Sequence, residues 1–411
     1  MSLGVYSKET NMRRVPVLFL ALSLMLAVGA LNAQDTRTTV FPQLGVGGGW
    51  SCDFFVTNQG LRAVSGVKLS FFDDAANALV VQAADLGSAS NFQFNLQPGE
   101  TKVIRVTGGS SVVAGYATLV GPYLSTVRAT MVVRLGSGGQ TSTQLGVSEQ
   151  YPFTHFSFAA EQRSSAGVST GLALVNVTLG TATPAAQDLV ITAIDNAGVV
   201  KGTKILTLAA GAHTSLFLND ARLFPGLDNF VGTVVVSGSH HMGLLALRLE
   251  NAALGAVSIN EGAVLSPFMV TQTATSETEA NDTLETANAI ANLPAALSGV
   301  ISTKEDQDHF RVTLRKGDVV TILVEAEALP GGSELDSEVF LLNSSGATVA
   351  TNDQNGLGGP LSSETNLPQN DSFVRTVVPA DGTYYIRIWD WAYEFGGAAF
   401  VYKLHITTQA P

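Results

Sequence analysis

The segment Gly49-Trp-Ser-Cys-Asp-Phe-Phe-Val-Thr-Asn58 decides how the first two-thirds of the chain folds. Its aromatic and β-branched residues follow a run of glycines and end at an asparagine, which is typical of a β-strand bounded by turns. A matching segment, Gly167-Val-Ser-Thr-Gly-Leu-Ala-Leu-Val-Asn176, follows 118 residues later. The pair indicates that one strand-rich unit occurs twice.

Four further pairs of segments repeat in the same order, at offsets of 112–122 residues. They are Leu69–Asp73 with Ile191–Asp195, Leu96–Lys102 with Leu208–Thr214, Val113–Gly121 with Phe230–Gly238, and Val132–Leu135 with Ala246–Leu249. Each copy ends its first strand with an asparagine, whose side chain suits the backbone groups of a turn. We therefore predict two tandem antiparallel β-sandwiches, residues 35–146 and 147–271, with Gly136–Gln144 as a loop or linker.

Acidic residues open the final third of the chain. Glu277-Thr-Glu-Ala-Asn-Asp282 is followed, after the strand-like Leu297–Ile301, by Asp306-Gln-Asp308. Carboxylate and amide oxygens suit calcium, which takes about 6–8 oxygen ligands. The alternative is an acidic linker followed by a charged turn, because such runs are often simply solvated. Spacing alone leaves both interpretations open.

These motifs belong to a longer pattern, which includes Leu314–Asp318, Leu335-Asp336, Asn352-Asp353 and Asp381–Arg387. The pattern resembles the bacterial pre-peptidase C-terminal domain, a calcium-binding β-sandwich related to the collagen-binding domains of bacterial collagenases. The resemblance implies a third β-sandwich over residues 277–411, with calcium as its cofactor. It also implies a set of metal ligands: Glu277, Glu279, Asn281, Asp282, Asp306 and Asp308. Within this unit, Leu284–Ala291 is compatible with one or two helical turns.

The charge of the chain is concentrated in the same region. Residues 275–411 contain 19 acidic and 7 basic residues, whereas residues 1–274 contain 15 of each. The final third thus carries the whole net charge of −12, which a bound cation would reduce. A negative surface repels phosphate backbones, so we expect no nucleic-acid partner.

The N-terminus has the pattern of an export signal. Arg13-Arg14 precedes the apolar run Val15–Ala30, and Ala30 or Ala33 offers a small residue for cleavage. We predict a signal peptide over residues 1–33, a secreted or cell-surface location, and no membrane span after cleavage. A retained membrane anchor is the alternative, because the run is close to the minimum spanning length. Cys52 is the only cysteine, so an internal disulfide is excluded.

One catalytic motif matches by letter. Gly167-Val-Ser-Thr-Gly171 has the G-x-S-x-G form of a hydrolase nucleophile elbow, which needs a strand before it and a helix after it. Here the polar Ser164-Ser165 precedes the motif and the strand-forming Leu172–Asn176 follows it. We interpret the match as coincidental and predict a protein that is not an enzyme.

Aromatic residues are concentrated near the C-terminus. Five residues there would form an exposed platform for an extracellular protein or polysaccharide ligand: Tyr385, Arg387, Trp389, Trp391 and Tyr393. The alternative is that these side chains fill the interior of the sandwich or cover an interdomain contact.

The leading functional hypothesis is a secreted, non-enzymatic protein of three tandem β-sandwiches after a signal peptide, acting in binding, adhesion or spacing. Calcium would stabilise its C-terminal domain. The alternatives are an accessory or processed part of a secreted peptidase or hydrolase system, and a carbohydrate-binding module.

Overall fold

The computed structural model describes residues 36–122, 126–137, 140–177, 185–251, 253–261, 266–353, 371–392 and 395–410. These residues form β-strands and two short 3-10 helices, Ser164–Ala166 and Ser266–Phe268. The prediction of an all-β fold of sandwich type is confirmed. The predicted signal peptide, residues 1–33, lies outside the described residues. Among those residues no helix is long and apolar enough to span a bilayer.

The first unit contains two sheets whose inner faces share one hydrophobic core, with Phe41, Phe54 and Phe71 fully buried in it. The strand orders are β1-β8-β3-β6 and β10-β9-β2-β7-β4-β5. The strands are β1 (Thr36–Val46), β2 (Trp50–Asn58), β3 (Val64–Asp73), β4 (Val81–Ala83), β5 (Gly87–Ala89), β6 (Asn91–Leu96), β7 (Thr101–Thr107), β8 (Val113–Pro122), β9 (Val127–Ser137) and β10 (Gln140–Ser148).

The second unit is organised by one long strand of 21 residues, β16. Its first half pairs with β11 and β13, and its second half pairs with β12 and β17, so a single strand serves both layers around the core. The strands are β11 (Phe153–Gln162), β12 (Val168–Asn176), β13 (Gln187–Asp195), β14 (Val200–Leu208), β15 (His213–Phe217), β16 (Phe230–Glu250), β17 (Ala253–Val257) and β18 (Ile259–Glu261).

The third unit has two five-stranded sheets, ordered β19-β21-β28-β23-β26 and β20-β22-β27-β24-β25. The pairs β19–β21 and β20–β22 are parallel, and the other pairs are antiparallel. The strands are β19 (Thr275–Ser276), β20 (Asn288–Ala289), β21 (Ala295–Val300), β22 (Asp308–Leu314), β23 (Val319–Glu325), β24 (Ser337–Leu342), β25 (Thr348–Asn352), β26 (Ser372–Val377), β27 (Gly382–Asp390) and β28 (Val401–Gln409).

The repeated asparagines have the same structural role in the first two units, as the sequence predicts. The Asn58 Nδ2 donates to the carbonyl oxygens of residues 62, 96 and 97, and the Asn176 Nδ2 donates to those of residues 185, 208 and 209. The backbone carbonyl oxygen of each asparagine also accepts a 2.9 Å hydrogen bond from the N–H of a glycine with positive φ. The donor is Gly99 for Asn58 and Gly211 for Asn176. The two copies therefore share one buried polar junction between a strand end and a turn.

Two segments differ from the sequence-based expectations. Gly136–Gln144 is not an interdomain linker, because it joins β9 and β10 in a hairpin whose second strand packs Val147 into the core. Leu284–Ala291 contains a turn and strand β20 instead of a helix. The Asn288 side chain holds this part extended by bonding both backbone groups of Thr278, at 2.7 and 2.8 Å.

A buried guanidinium joins the second unit to the third. Arg375 on β26 is 2% exposed and donates to Thr321 Oγ1 of its own unit, at 2.9 Å, and to Thr192 Oγ1 of the second unit, at 3.1 Å. Its guanidinium lies 4.5 Å from the centre of the Phe268 ring. Burial lowers the pKa of Arg375 to about 10. Among the described residues its hydrogen bonds go to threonine hydroxyls of both units and to the Gln409 amide oxygen, and none goes to a carboxylate.

We expect Asn58→Ala and Asn176→Ala to destabilise their units by similar amounts, about 2–4 kcal/mol each, because each change leaves buried carbonyl oxygens without a donor. Differential scanning calorimetry of the variants measures this loss. Asn91→Ala, at an exposed position on β6, is the control and should leave the transitions unchanged. A negligible effect at either buried asparagine would contradict the assignment.

Candidate metal site

The acidic segment Glu277–Asp282, the lead-in, crosses from one sheet of the third unit to the other. After β19 the Glu277 N–H donates to the Ser298 carbonyl on β21, at 2.9 Å. Four residues later the Asn281 carbonyl accepts a 3.0 Å bond from the His309 N–H on β22. The backbone between these two anchors therefore lies across one end of the sandwich.

Three carboxylates converge under this crossing. One side-chain oxygen from each of Glu277, Glu279 and Asp308 lies within 4.8 Å of the other two. Asp308 is fully buried because it shares a face of β22 with Phe310 and Val312, which point into the core. Glu277 is half-buried, and Glu279 lies at the exposed side. The cluster is therefore half in the core and half open to solvent.

Asn281 completes the inner side of the cluster and is fully buried. Its amide oxygen faces carboxylate oxygens of Asp308 and Glu279. If the amide were rotated by half a turn, its nitrogen would donate to Asp308 Oδ1 at 2.9 Å and to Glu279 Oε2 at 3.2 Å. A cation favours the first orientation, because the oxygen is then a ligand, and a metal-free cluster favours the second.

Asp306 supplies a buried oxygen with no partner of its own among the described residues. Its Oδ2 accepts bonds from the Ser302 N–H at 2.5 Å and from the Ser302 hydroxyl at 2.7 Å. Its Oδ1 is buried and lacks a hydrogen-bond partner there. Asp282, the sixth residue of the predicted ligand set, has an exposed side chain next to the buried Asn281.

Tyr402 also belongs to the cluster, and the sequence does not predict this role. The Tyr402 hydroxyl lies 2.8 Å from Glu277 Oε2 and 2.6 Å from Asp308 Oδ2. It reaches them past Gly299, where an added Cβ would lie 2.2 Å from the hydroxyl oxygen. Since Tyr402 has one proton for two carboxylates, the pair of acids needs a further proton or a cation.

The crowding of acids changes their proton affinities. Burial, followed by the charge of Glu277, raises the pKa of Asp308 strongly. Burial and the charges of Asp306 and Glu277 raise the pKa of Glu279. Burial and the neighbouring Asp308 raise the pKa of Tyr402 well above its usual value. When no metal is bound, protonation therefore reduces the negative charge of the cluster.

The donor chemistry fits a hard cation. Glu277, Glu279, Asn281, Asp306 and Asp308 offer oxygen atoms only, and a flexible set of carboxylates and an amide is what calcium binds. The buried Oδ1 of Asp306, which lacks a hydrogen-bond partner among the described residues, is the polar group whose surroundings fit such an ion best.

The predicted aromatic platform is partly covered. The Arg387 guanidinium lies 4.1 Å from the centre of the Phe340 ring and 3.9 Å from that of Trp389. The Trp389 Nε1 donates to Glu338 at 2.6 Å, whereas Trp391 is 53% exposed. Tyr385 is half-buried, and Tyr393 lies outside the described residues. Arg387 and Trp389 thus contact each other and their own sheet, and Trp391 is the most exposed of the predicted residues that the structure describes.

The G-x-S-x-G match does not form a nucleophile elbow. Ser169 lies within strand β12, and no helix follows it before residue 176. Its hydroxyl accepts a 3.2 Å bond from Gln162. The motif is therefore part of a regular strand, as the sequence analysis concludes.

Comparison with known proteins identifies the class of the C-terminal segment. Residues 306–388 match the family model described as the bacterial pre-peptidase C-terminal domain, and the resemblance seen in the sequence is thereby confirmed. Among curated proteins, none matches the chain. A solved structure titled "Biofilm associated protein - BSP domain" aligns over 93% of this chain and 79% of its own, with 11% identity and a TM-score of 0.17.

The raised pKa values predict how the metal-free protein responds to pH. A carboxyl group whose pKa is higher in the folded state stabilises the fold when protonated, so that contribution is lost as the pH rises above about 4. With a chelator present, we expect the urea midpoint of the third unit to fall as the pH is raised from about 5 to about 8. Asp308→Asn should flatten this dependence. An equally steep fall in the variant would show that the cluster does not cause it.

Proposed function

We propose that the third unit binds calcium through Glu277, Glu279, Asn281, Asp306 and Asp308, with the exposed Asp282 as a further ligand. The single observation that carries this proposal is the convergence of three carboxylates from the lead-in and from β22 within 4.8 Å. No basic side chain is among the groups that contact them through a hydrogen bond described here. A divalent cation would replace the mutual repulsion of these acids with attraction.

The bound ion would act as a clasp for the lead-in. The crossing from Glu277 to Asn281 is anchored by one backbone bond at each end, by the bond from the Val300 N–H to Glu277 Oε1 at 2.6 Å, and by the two bonds between the Asn288 side chain and the Thr278 backbone. Ligands from the lead-in and from β22 would be joined through one ion. The segment that connects the second and third units would then be held against the sandwich.

Calcium should stabilise the folded third unit, because a ligand that binds only the native state raises the free energy of unfolding. We expect a dissociation constant of about 10⁻⁴–10⁻³ M, the range of extracellular calcium modules. At a calcium concentration about 100 times that constant, the gain is about 2.7 kcal/mol. Calorimetry with calcium and with chelator measures it, and isothermal titration gives the stoichiometry.

Matched variants make the calcium experiment specific. Asp308→Asn and Glu279→Gln should abolish the calcium-dependent shift, whereas Glu305→Gln should retain it. Glu305 is a close control, since it lies in the same acidic segment but pairs with Lys304 in solvent, 3.4 Å away. An unchanged melting temperature in the wild-type protein, with a folded third unit, would contradict calcium binding.

We further propose that the chain as a whole is an exported, non-catalytic protein in which the sandwiches serve as binding, adhesion or spacer units. Support comes from the match of residues 306–388 to the pre-peptidase C-terminal domain and from the predicted export signal. The same match favours a second candidate, an accessory or processed part of a secreted peptidase system.

Within this role, the aromatic platform is proposed to take a sugar ring or an extended protein segment. Trp391 is the exposed member, and the Arg387 guanidinium lies over the Trp389 ring two residues earlier on the same segment. On glycan and matrix-protein arrays, we expect Trp391→Ala to lower binding about tenfold, by the loss of one stacking contact. Phe395→Ala, at a 57% exposed neighbour outside the platform, is the control. Equal binding by wild type and Trp391→Ala would refute the platform.

A further inference from the structure

A cavity of about 370 Å³ lies where the first and second units meet. One wall comes from β12, β15, β16 and β17 of the second unit, and the other comes from β1, β2, β8, β9 and β10 of the first. Its volume lies within the range of small-molecule sites, about 300–1,000 Å³, which occur preferentially between domains.

The floor of the cavity is set by small residues in the middle of a sheet. Ala173 on β12 pairs with Ser215 on one side and Leu245 on the other, and Gly171 pairs with Phe217 and Leu247. All six residues line the cavity. Because residues two positions apart share a face, Gly171 and Ala173 together form a low strip beside Leu245 and Leu247 of β16.

The low strip is a difference between the two repeats. In the matched segments of the sequence, Asp53 and Phe55 of the first copy correspond to Gly171 and Ala173 of the second. The Asp53 carboxylate forms ion pairs with Arg134 and Arg105. The second copy has the two smallest residues where the first has a charged and an aromatic side chain, and the Phe217 ring covers part of the space beside Gly171, at 3.4 Å from where a Cβ would lie.

The opposite wall is apolar and aromatic. Trp50, Val133 and Leu145 of the first unit line it, and the Trp50 ring packs beside Gly45, where an added Cβ would lie 3.8 Å away. Polar groups are few: Gln43, Thr143, Gln144, Ser215 and Asp220 line the cavity, and no cationic residue does. Asp220 is already bonded to Arg222 at 3.0 Å. An anionic ligand would find no counter-charge here.

We propose that this cavity binds a small, uncharged, ring-containing apolar molecule with a single hydrogen-bonding group. The volume and the apolar floor select a compact hydrophobic ligand, and the amides of Gln43 and Gln144 in the lining offer it hydrogen bonds. Walls from two units flank the space, so a small molecule fits it better than a flat protein surface would.

The test uses N-phenyl-1-naphthylamine, an uncharged probe that fluoresces in apolar surroundings, titrated into the full chain. We expect saturable emission at one probe per chain. Ser215→Phe, which adds a ring over the floor from an exposed position, should weaken binding about tenfold or more. Ser88→Phe makes the same chemical change on the exposed strand β5, away from the cavity, and should leave the affinity unchanged.

A second variant locates the probe, at probe concentrations where direct excitation shows equal occupancy of the variant and the wild-type protein. Excitation of tryptophan should sensitise the probe, and Trp50→Phe should remove most of this signal, because the other two tryptophans lie in the third unit. The proposal is overturned if the wild-type protein shows no saturable signal, if Ser215→Phe binds as well as wild type, or if sensitised emission survives in Trp50→Phe. Binding at one probe per two chains, with dimers on gel filtration, would also overturn it in favour of a second copy as occupant.

Discussion

Repulsion between buried acids is the constraint that governs the third unit. Asp308 points into the core from β22, and the lead-in places Glu277 beside it, with Tyr402 offering a single proton to both. In a low-dielectric interior, two ionised carboxylates at this separation cannot coexist without a compensating charge. The position of the lead-in, the protonation of the cluster and the stability of the sandwich are therefore coupled, and a divalent cation would act on all three at once.

The sequence predicts the strands and the polar junctions well because both depend on local patterns. Alternating apolar residues specify which face of a strand is buried, and a strand that ends in asparagine and meets a later glycine turn identifies Asn58 and Asn176. Composition does not distinguish two kinds of structure that are built from the same residue types. A Gly- and Ser-rich stretch suits a linker as well as a hairpin turn, and only the pairing of β9 with β10 distinguishes them at Gly136–Gln144.

In the candidate site, too, the sequence predicts what depends on local spacing and not what depends on strand pairing. The spacing of Glu277, Glu279 and Asp308 suggests oxygen ligands, but Tyr402 looks like an ordinary core residue because it alternates with Leu404 and Ile406. Its role depends on the register that sets it opposite Gly299 on a strand about a hundred residues earlier. The cavity at Gly171 and Ala173 is equally hidden, since small residues in a strand reveal nothing until the facing unit is in place.

The interface around Arg375 has a consequence for how such chains can evolve. Its guanidinium is shielded from water only because Thr192 and Phe268, both outside the third sandwich, close over it. In another host protein that lacks these groups, Arg375 would either be hydrated or lie against a neighbour that must offer hydrogen-bond acceptors to its guanidinium. A shuffled copy of this sandwich would therefore favour neighbours that place oxygen acceptors opposite Arg375.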